Sequence, residues 1–385
     1  MEPPLSRRAR GIPHFLAMDI LARAGELEAR GRDIVHMELG EPDAATPPHV
    51  IAAASRALGE GYTRYTPTEG YLDLREAISA HYLRSYGVTV DPERILVTLG
   101  VSPAQFLAFS LASDPGGRVV IGDPSYACYP HTARYLGLEV VRVPLSGSEG
   151  WALTAENVRP RLRGDEAALV INSPANPTGA VLTREQLADL AELPVPLLIS
   201  DEIYHRLVYG ERAVSILELA DPDRCVVLNG VSKVYGMTGW RLGWMIVPPA
   251  WVQPLRAVHQ HFFLSASAFV QRAALAALEG DQGSVEAMVS DYRRRRDHLL
   301  AGLRRLGWGV PRDPQGAFYL LADGRRWEGD SVRLAGRLLE EAGVAAAPGV
   351  DFGPGAEGHI RFSYSAALPR IEEAVRRLEE WGRRA

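Results

Sequence analysis

The chain has 385 residues, 46% of them hydrophobic and 23% charged, with a formal net charge of −5. That is an ordinary globular composition, long enough for a large core and one or two domains, and its acidic balance offers no electrostatic footprint for nucleic acid or an anionic membrane. No apolar run reaches the ~20 residues of a membrane helix, Arg7, Arg8 and Arg10 precede no signal-peptide core, and Cys128 and Cys225 read as reduced, buried thiols, so the expectation is a cytoplasmic protein.

In chain order, the first candidate ligand segment is Glu38-Leu-Gly40-Glu-Pro-Asp43, a loop after a short strand. Next, Arg94 to Leu99 reads as a buried strand that gives way at Gly100 to a helical pattern from Ala104 to Ala112. A glycine at such a junction frees backbone N–H groups, at Val101 and Ser102, to hold a phosphate with help from the helix dipole. The apolar run Arg118 to Ile121 leads into Asp123-Pro-Ser-Tyr126, whose aromatic face suits stacking on a flat ring, although a turn tyrosine is the commoner case. After Ala167 to Ile171 comes Asn172-Ser-Pro-Ala-Asn176-Pro-Thr-Gly179, where two prolines and a glycine exclude helix and sheet. The Asn176 amide can donate to a ring oxygen or to a carboxylate.

The run Val195 to Ser200 ends in Asp201-Glu-Ile-Tyr204. A buried strand that ends in a carboxylate delivers its charge to the carboxyl edge of the sheet, where open α/β folds bind ligands. There Asp201 can pair with the nitrogen of a pyridine ring, and Tyr204 can reach a phenolic oxygen on it; Asp is also a common helix cap. Past Arg224 to Leu228 stands Ser232-Lys233-Val-Tyr-Gly-Met-Thr-Gly-Trp-Arg241-Leu-Gly243. An amine held among small residues can form a Schiff base with an aldehyde, and a nearby guanidinium can hold that aldehyde's phosphate.

Alternating strand-like and helical stretches from Arg94 to about Val247 predict a mostly parallel sheet covered on both faces. Beyond Pro248 the pattern is helical, then a smaller α/β unit: strand Ala317 to Leu321, helix Ser331 to Ala342, strand His359 to Tyr364 and helix Pro369 to Arg383. The expected division is a large domain over residues 46–283 and a small one from residues 1–45 and 284–385. Arg293 to Arg296 reads as a solvated helix face, and His259 with His261 makes a poor metal pair, so no metal site is expected. Asp351-Phe-Gly-Pro-Gly355 reads as a small-domain loop near the site entrance.

In their order, the glycine turn, Pro-Ser-Tyr126, Asn176-Pro-Thr-Gly, Asp201-x-x-Tyr204, Ser-Lys233 and Arg241 resemble the class I/II aminotransferases of fold type I, over most of the chain from about Glu38 to Arg361. The resemblance implies an α/β fold with a large domain around a mostly parallel sheet of seven-stranded type, and pyridoxal 5′-phosphate as cofactor. It implies that Lys233 carries the cofactor and, once released, moves the substrate α-proton. Asp201 would hold the pyridinium, Tyr204 and Asn176 the ring oxygen, and Tyr126 the ring face. Gly100, Val101, Ser102, Ser232 and Arg241 would cradle the phosphate, with Tyr65 arriving from the partner of a homodimer with shared sites. Arg361 would fork onto the substrate α-carboxylate, and Gly40 would line the substrate side.

Two departures stand out. Many relatives have Ser-x-Ser-Lys where this chain has Gly230-Val231-Ser232-Lys233, so one hydroxyl contact is missing, worth ~0.5–1.5 kcal/mol. Where some aspartate-specific relatives place a lysine near the phosphate turn, this chain reads Gly100-Val101-Ser102-Pro103-Ala104, with no basic residue. The expected activity is transfer of the amino group of a neutral or aromatic L-amino acid, with aspartate still possible, to a 2-oxo acid such as 2-oxoglutarate by a ping-pong mechanism. The alternatives are a carbon–sulfur β-lyase of the same fold and a non-catalytic cofactor-binding regulator.

Overall fold

The computed structural model describes residues 4–384. The apolar runs become the strands β2 (Ile95–Thr98), β3 (Arg118–Asp123), β4 (Glu139–Pro144), β5 (Glu166–Asn172), β6 (Leu197–Asp201), β7 (Cys225–Gly230) and β8 (Gly243–Ile246), preceded by the short β1 (Val35–His36). Those from β2 to β8 form one seven-stranded sheet in the order β2-β8-β7-β6-β5-β3-β4. Only β8 runs antiparallel to its neighbours, pairing Ile246 with Ile95 and Gly243 with Gly230. The chain reverses between β7 and β8 within the Lys233 loop, and a strand returning directly from such a reversal must pair antiparallel.

Strands β3, β6 and β7 are buried along their whole length, which is why they read as continuous apolar runs rather than alternating ones. Successive side chains feed opposite cores. Leu198 and Val227 pack with Leu74, Ile78 and Ala273 from the helices Leu72–Tyr86 and Ala268–Glu279. Ile199 and Val226 pack with Leu107 and Phe109 from the helix Val101–Ala112. Each fully buried aliphatic side chain contributes about 1.5–3 kcal/mol, so the rigidity of the sheet follows from the residues that made it legible.

A second body of buried side chains surrounds β9 (Tyr319–Asp323), β10 (Val344–Ala345), β11 (Ala347–Pro348) and β12 (His359–Ser363), with β12 between β11 and β9, antiparallel to both. The helices Gly283–Arg305 and Leu368–Gly382 close it through Leu299, Leu303, Ile371 and Trp381. The N-terminal segment joins this body: β1 pairs parallel with β10, Val35 against Val344, and Met37 O accepts from Ser363 N at 2.8 Å.

The arginine run on the helix Gly283–Arg305 corrects the expectation of a solvated face. Arg293 and Arg294 are exposed, but Arg295 and Arg296 are buried. Arg295 pairs with Asp43 at 2.8 Å and Arg296 donates to Pro314 O at 2.9 Å. A run of four residues spans just over a turn, so two of its members must face the core. Their long apolar stems and fixed partners make that tolerable. His259 is likewise a core residue, fully buried, with neither ring nitrogen hydrogen-bonded among the described residues.

Candidate active site

Parallel strands that end together bring their following residues together. Asn172 closes β5 in register with Asp201 at the end of β6, and the Asn172 amide donates to Asp201 O at 3.1 Å. Around this edge lies a cavity of about 250 Å³. Its walls include Gly40, Val101, Ser102, Tyr126, Asn176, Asp201, Tyr204, Ser232, Lys233, Arg241 and Arg361. Two sequence candidates lie elsewhere: Gly100 sits just behind Val101, and Tyr65 is 85% exposed and outside the cavity of its own chain.

At the centre is Lys233, whose Nζ donates to Gly40 O at 2.5 Å. Burial lowers its pKa to about 8; Arg361 and Arg241 push the same way, while Glu41 and Asp201 oppose them. Near neutral pH about a tenth of this amine is therefore unprotonated, far more than for an ordinary lysine, as a nucleophile or proton acceptor needs. Asp201 is 3% exposed, and burial raises its pKa to about 6. Tyr129 Oη, donating at 2.6 Å, the Ile203 N–H at 3.2 Å and the Lys233 charge all favour the ionised form. This buried carboxylate lacks a full complement of donors and can hold a protonated ring nitrogen.

One end of the cavity is built for an anion. The helix Val101–Ala112 starts at Gly100, which has no side chain to cap it, leaving its first N–H groups available. Gly100 has φ 99°, and a Cβ there would lie 2.7 Å from Arg241 Nη2, so the glycine makes room for the guanidinium. The helix begins three residues before the Ala104 expected from periodicity, because Val101 and Ser102 form its first turn.

At the other end Arg361, 2% exposed, lies over the rings of Tyr319 and Phe352 at 4.6 and 4.7 Å. Its Nη1 donates to Asn176 Oδ1 at 3.2 Å and its Nη2 to Glu38 O, while Nε has no hydrogen-bond partner among the described residues. A buried guanidinium with an orphan N–H is prepared for an incoming carboxylate. The loop Asp351 to Gly355 braces this end: Asp351 accepts from the N–H groups of Leu16 and Ala17, and Gly355 N donates to Asp123 Oδ1 at 3.1 Å.

Sequence reasoning missed Tyr129, Tyr319 and the part played by Glu38. Tyr129 lies three residues beyond Tyr126, and the two rings meet edge-on at 5.4 Å, so helical spacing from Tyr126 was the available signal. Tyr319 is the first residue of β9; its hydroxyl lies 3.0 Å from that of Tyr204, and a Cβ on Gly40 would fall 2.5 Å from it. Gly40 is therefore glycine to admit a phenol. The missing serine also has a steric cause. A Cβ at Gly230 would sit 2.9 Å from both Gly243 Cα and Leu242 O, so β7 and β8 approach too closely for a side chain there.

A half-buried lysine and a buried carboxylate in one cavity, with a phosphate cradle at one end and a buried guanidinium at the other, match the polar groups of pyridoxal phosphate joined to an amino acid. Comparison with known proteins agrees. The sequence profile of the family "Aminotransferase class I and II" matches residues 32–378. The aspartate/prephenate aminotransferase of Thermus thermophilus is 41% identical over 380 residues, 97% of each chain. The (5-formylfuran-3-yl)methyl phosphate transaminase of Methanocaldococcus jannaschii is 36% identical, covering 98% of this chain and 99% of its own. The solved structure of aspartate aminotransferase from Thermus thermophilus with maleate superposes with a TM-score of 0.93 at 40% identity, covering 98% of this chain and all of that one. The chain belongs to the class I and II aminotransferases, enzymes of the aspartate aminotransferase-like fold that work with pyridoxal phosphate.

Proposed function

We propose that this aminotransferase takes the amino group from neutral and aromatic L-amino acids, with aspartate also within its range, and passes it to a 2-oxo acid such as 2-oxoglutarate in two alternating half-reactions. The observation that carries this reading is Arg361, a buried guanidinium that lines the same cavity as Lys233 and whose Nε has no hydrogen-bond partner among the described residues. Phe15, Ala17, Met18 and Leu39 line the same cavity and offer an apolar surface to the substrate side chain. Ser102-Pro103-Ala104 supplies no cation for a second carboxylate, yet relatives named for aspartate keep aspartate in view.

Bound pyridoxal phosphate supplies an aldehyde for the amine and an electron-withdrawing ring. Val101 and Ser102 N–H, Ser232 and Arg241 would hold its phosphate, and Asp201 would keep the ring nitrogen protonated. Tyr126 would cover one ring face, and Tyr204 with Asn176 would address the ring oxygen. Arg361 would fix the α-carboxylate, and Lys233 Nζ in the same cavity would be the base for the α-proton. That nitrogen would accept the α-proton and give it up again on the cofactor side, a transfer that its lowered pKa favours. Gly40 admits the substrate beside it.

The working unit in this reading is a homodimer in which Tyr65 enters the partner's phosphate cradle. Its support is the 85% exposure of Tyr65, together with the exposed Phe262 and Leu264. Residues 46–283 form the large domain, and residues 1–45 with 284–385 the small one that carries Arg361 and closes on substrate. Two free cysteines suit the cytoplasm.

The test is a pair of variants. Lys233→Ala abolishes the covalent attachment seen by mass spectrometry after borohydride reduction and lowers the half-reaction rate by at least ~10²–10⁴. Arg361→Lys raises KM for the amino acid by about 10-fold or more with a smaller change in kcat. Retained attachment in the first variant, or release of pyruvate and ammonia from cysteine conjugates without an oxo acid, would overturn the assignment.

A further inference from the structure

A carboxylate that no step of the reaction uses lies beside the substrate end of the cavity. Glu38 is completely buried, and its backbone carbonyl is the group that accepts from Arg361 Nη2. Its own carboxylate is therefore within one side-chain length of that guanidinium. It is nevertheless turned away: Oε1 lies 2.7 Å from His36 Nδ1, and Oε2 has no hydrogen-bond partner among the described residues. The far nitrogen of the same imidazole, Nε2, lies 3.1 Å from Oε1 of Glu28, at the end of the helix Leu16–Glu28. His36 and Glu38 are two residues apart on an extended segment, so they share a face, and Met37 between them turns into the core of the smaller body.

Burying a carboxylate is costly unless it is paired, and a buried arginine is the most obvious partner for it. Among the described residues Arg361 has no carboxylate within ion-pair distance, only an amide oxygen, a carbonyl and two aromatic rings. A Glu38 carboxylate on Arg361 would occupy the donors that a substrate needs. We infer that His36 is a positioning residue: clamped between Glu28 and Glu38, it holds the Glu38 carboxylate off Arg361 and so keeps the guanidinium free for the substrate carboxylate. Glu38 in turn fixes Arg361 through its backbone carbonyl. This rests on Arg361 being the carboxylate site.

The test uses the cofactor-loaded enzyme and an unreactive carboxylate, 3-phenylpropionate, with Kd measured by calorimetry and KM and kcat measured alongside. His36→Gln raises Kd and KM about 10-fold with kcat changed less than 3-fold, because the released carboxylate competes for Arg361. The double variant H36Q/E38Q restores Kd to within about 2-fold, because the amide cannot compete as an anion; a merely structural role for the pair would leave the double variant at least as impaired as the single one. Should H36Q fail to fold, H36N takes its place in the same cycle. An unchanged Kd in the single variant, or no recovery in the double, overturns the inference. Arg361→Lys separates the two readings: if that variant keeps its affinity, the carboxylate site itself is misassigned, whatever the His36 cycle shows.

Discussion

Tyr129 Oη donates to Asp201 Oδ2 at 2.6 Å, tying the helix Cys128–Tyr135 to the end of β6 beneath the cavity. Both residues are almost completely buried. The bond favours the ionised carboxylate, against a burial that disfavours it. Tyr129→Phe leaves Asp201 with the Ile203 N–H as its remaining direct donor, so its pKa climbs further. Loss of one hydrogen bond to a charged group costs about 1.5–3 kcal/mol, and the expected result is a roughly 10-fold rise in the dissociation constant of pyridoxal phosphate. Fluorescence titration of cofactor-free protein measures it; unchanged affinity would show that the phenol matters only for packing.

Asp201 itself makes a pH-dependent stability difference. Its folded pKa, about 6, lies above the ordinary value of 3.8, so the folded chain holds this proton more tightly than the unfolded chain. The associated stability is complete below about pH 4 and lost as pH rises through about 6. Asp201→Asn removes the buried charge, and the cofactor-free variant gains on the order of 2 kcal/mol over wild type at pH 8, with little difference at pH 4. Urea unfolding at the two pH values checks the sign. The same variant loses transamination, since an amide cannot keep the ring nitrogen protonated.

Gly100→Ala asks for a Cβ at φ 99°, 2.7 Å from Arg241 Nη2. Left-handed strain of this kind costs about 1–3 kcal/mol, and the guanidinium must move. A fall in thermal midpoint accompanied by a roughly 10-fold weaker affinity for pyridoxal phosphate is expected. Free pyridoxal, lacking the phosphate, binds both proteins alike.

His36 is held by Glu38 foremost and by Glu28, and its pKa rises to about 9. A folded pKa above the ordinary 6.5 means that the stabilisation is complete below about pH 6.5 and disappears as pH rises through about 9. Wild type should therefore lose thermal stability between pH 7 and 10 more steeply than His36→Gln. Parallel melting curves across that range would show that the imidazole is uncharged in the fold.

The residues legible in the sequence share one property. Asp201, Asn176, Ser102 and Tyr126 each follow a continuous apolar run, and parallel strands deliver such residues to one edge whatever the details of packing. Lys233 and Arg241 were legible because small residues surround them. Tyr129 and Tyr319 were not, because their contacts depend on how a helix and a second sheet lie against that edge, and no local pattern encodes those distances. The inward turn of Arg295 and Arg296 was hidden for a related reason: hydropathy treats every arginine as solvated, whereas Asp43 and Pro314 O await these two. The strand direction of β8 was also unreadable, because four apolar residues look the same in either sense.

The closeness of Gly230 and Gly243 has a practical consequence for anyone altering this catalyst. Any side chain at either position would push against backbone at 2.9 Å, at the two feet of the loop that carries the reactive amine. Randomised libraries that touch these feet will mostly return inactive clones. Diversity spent on Phe15 and Met18, which line the cavity without bearing the chemistry, can retune the choice of amino donor while the machinery stays intact.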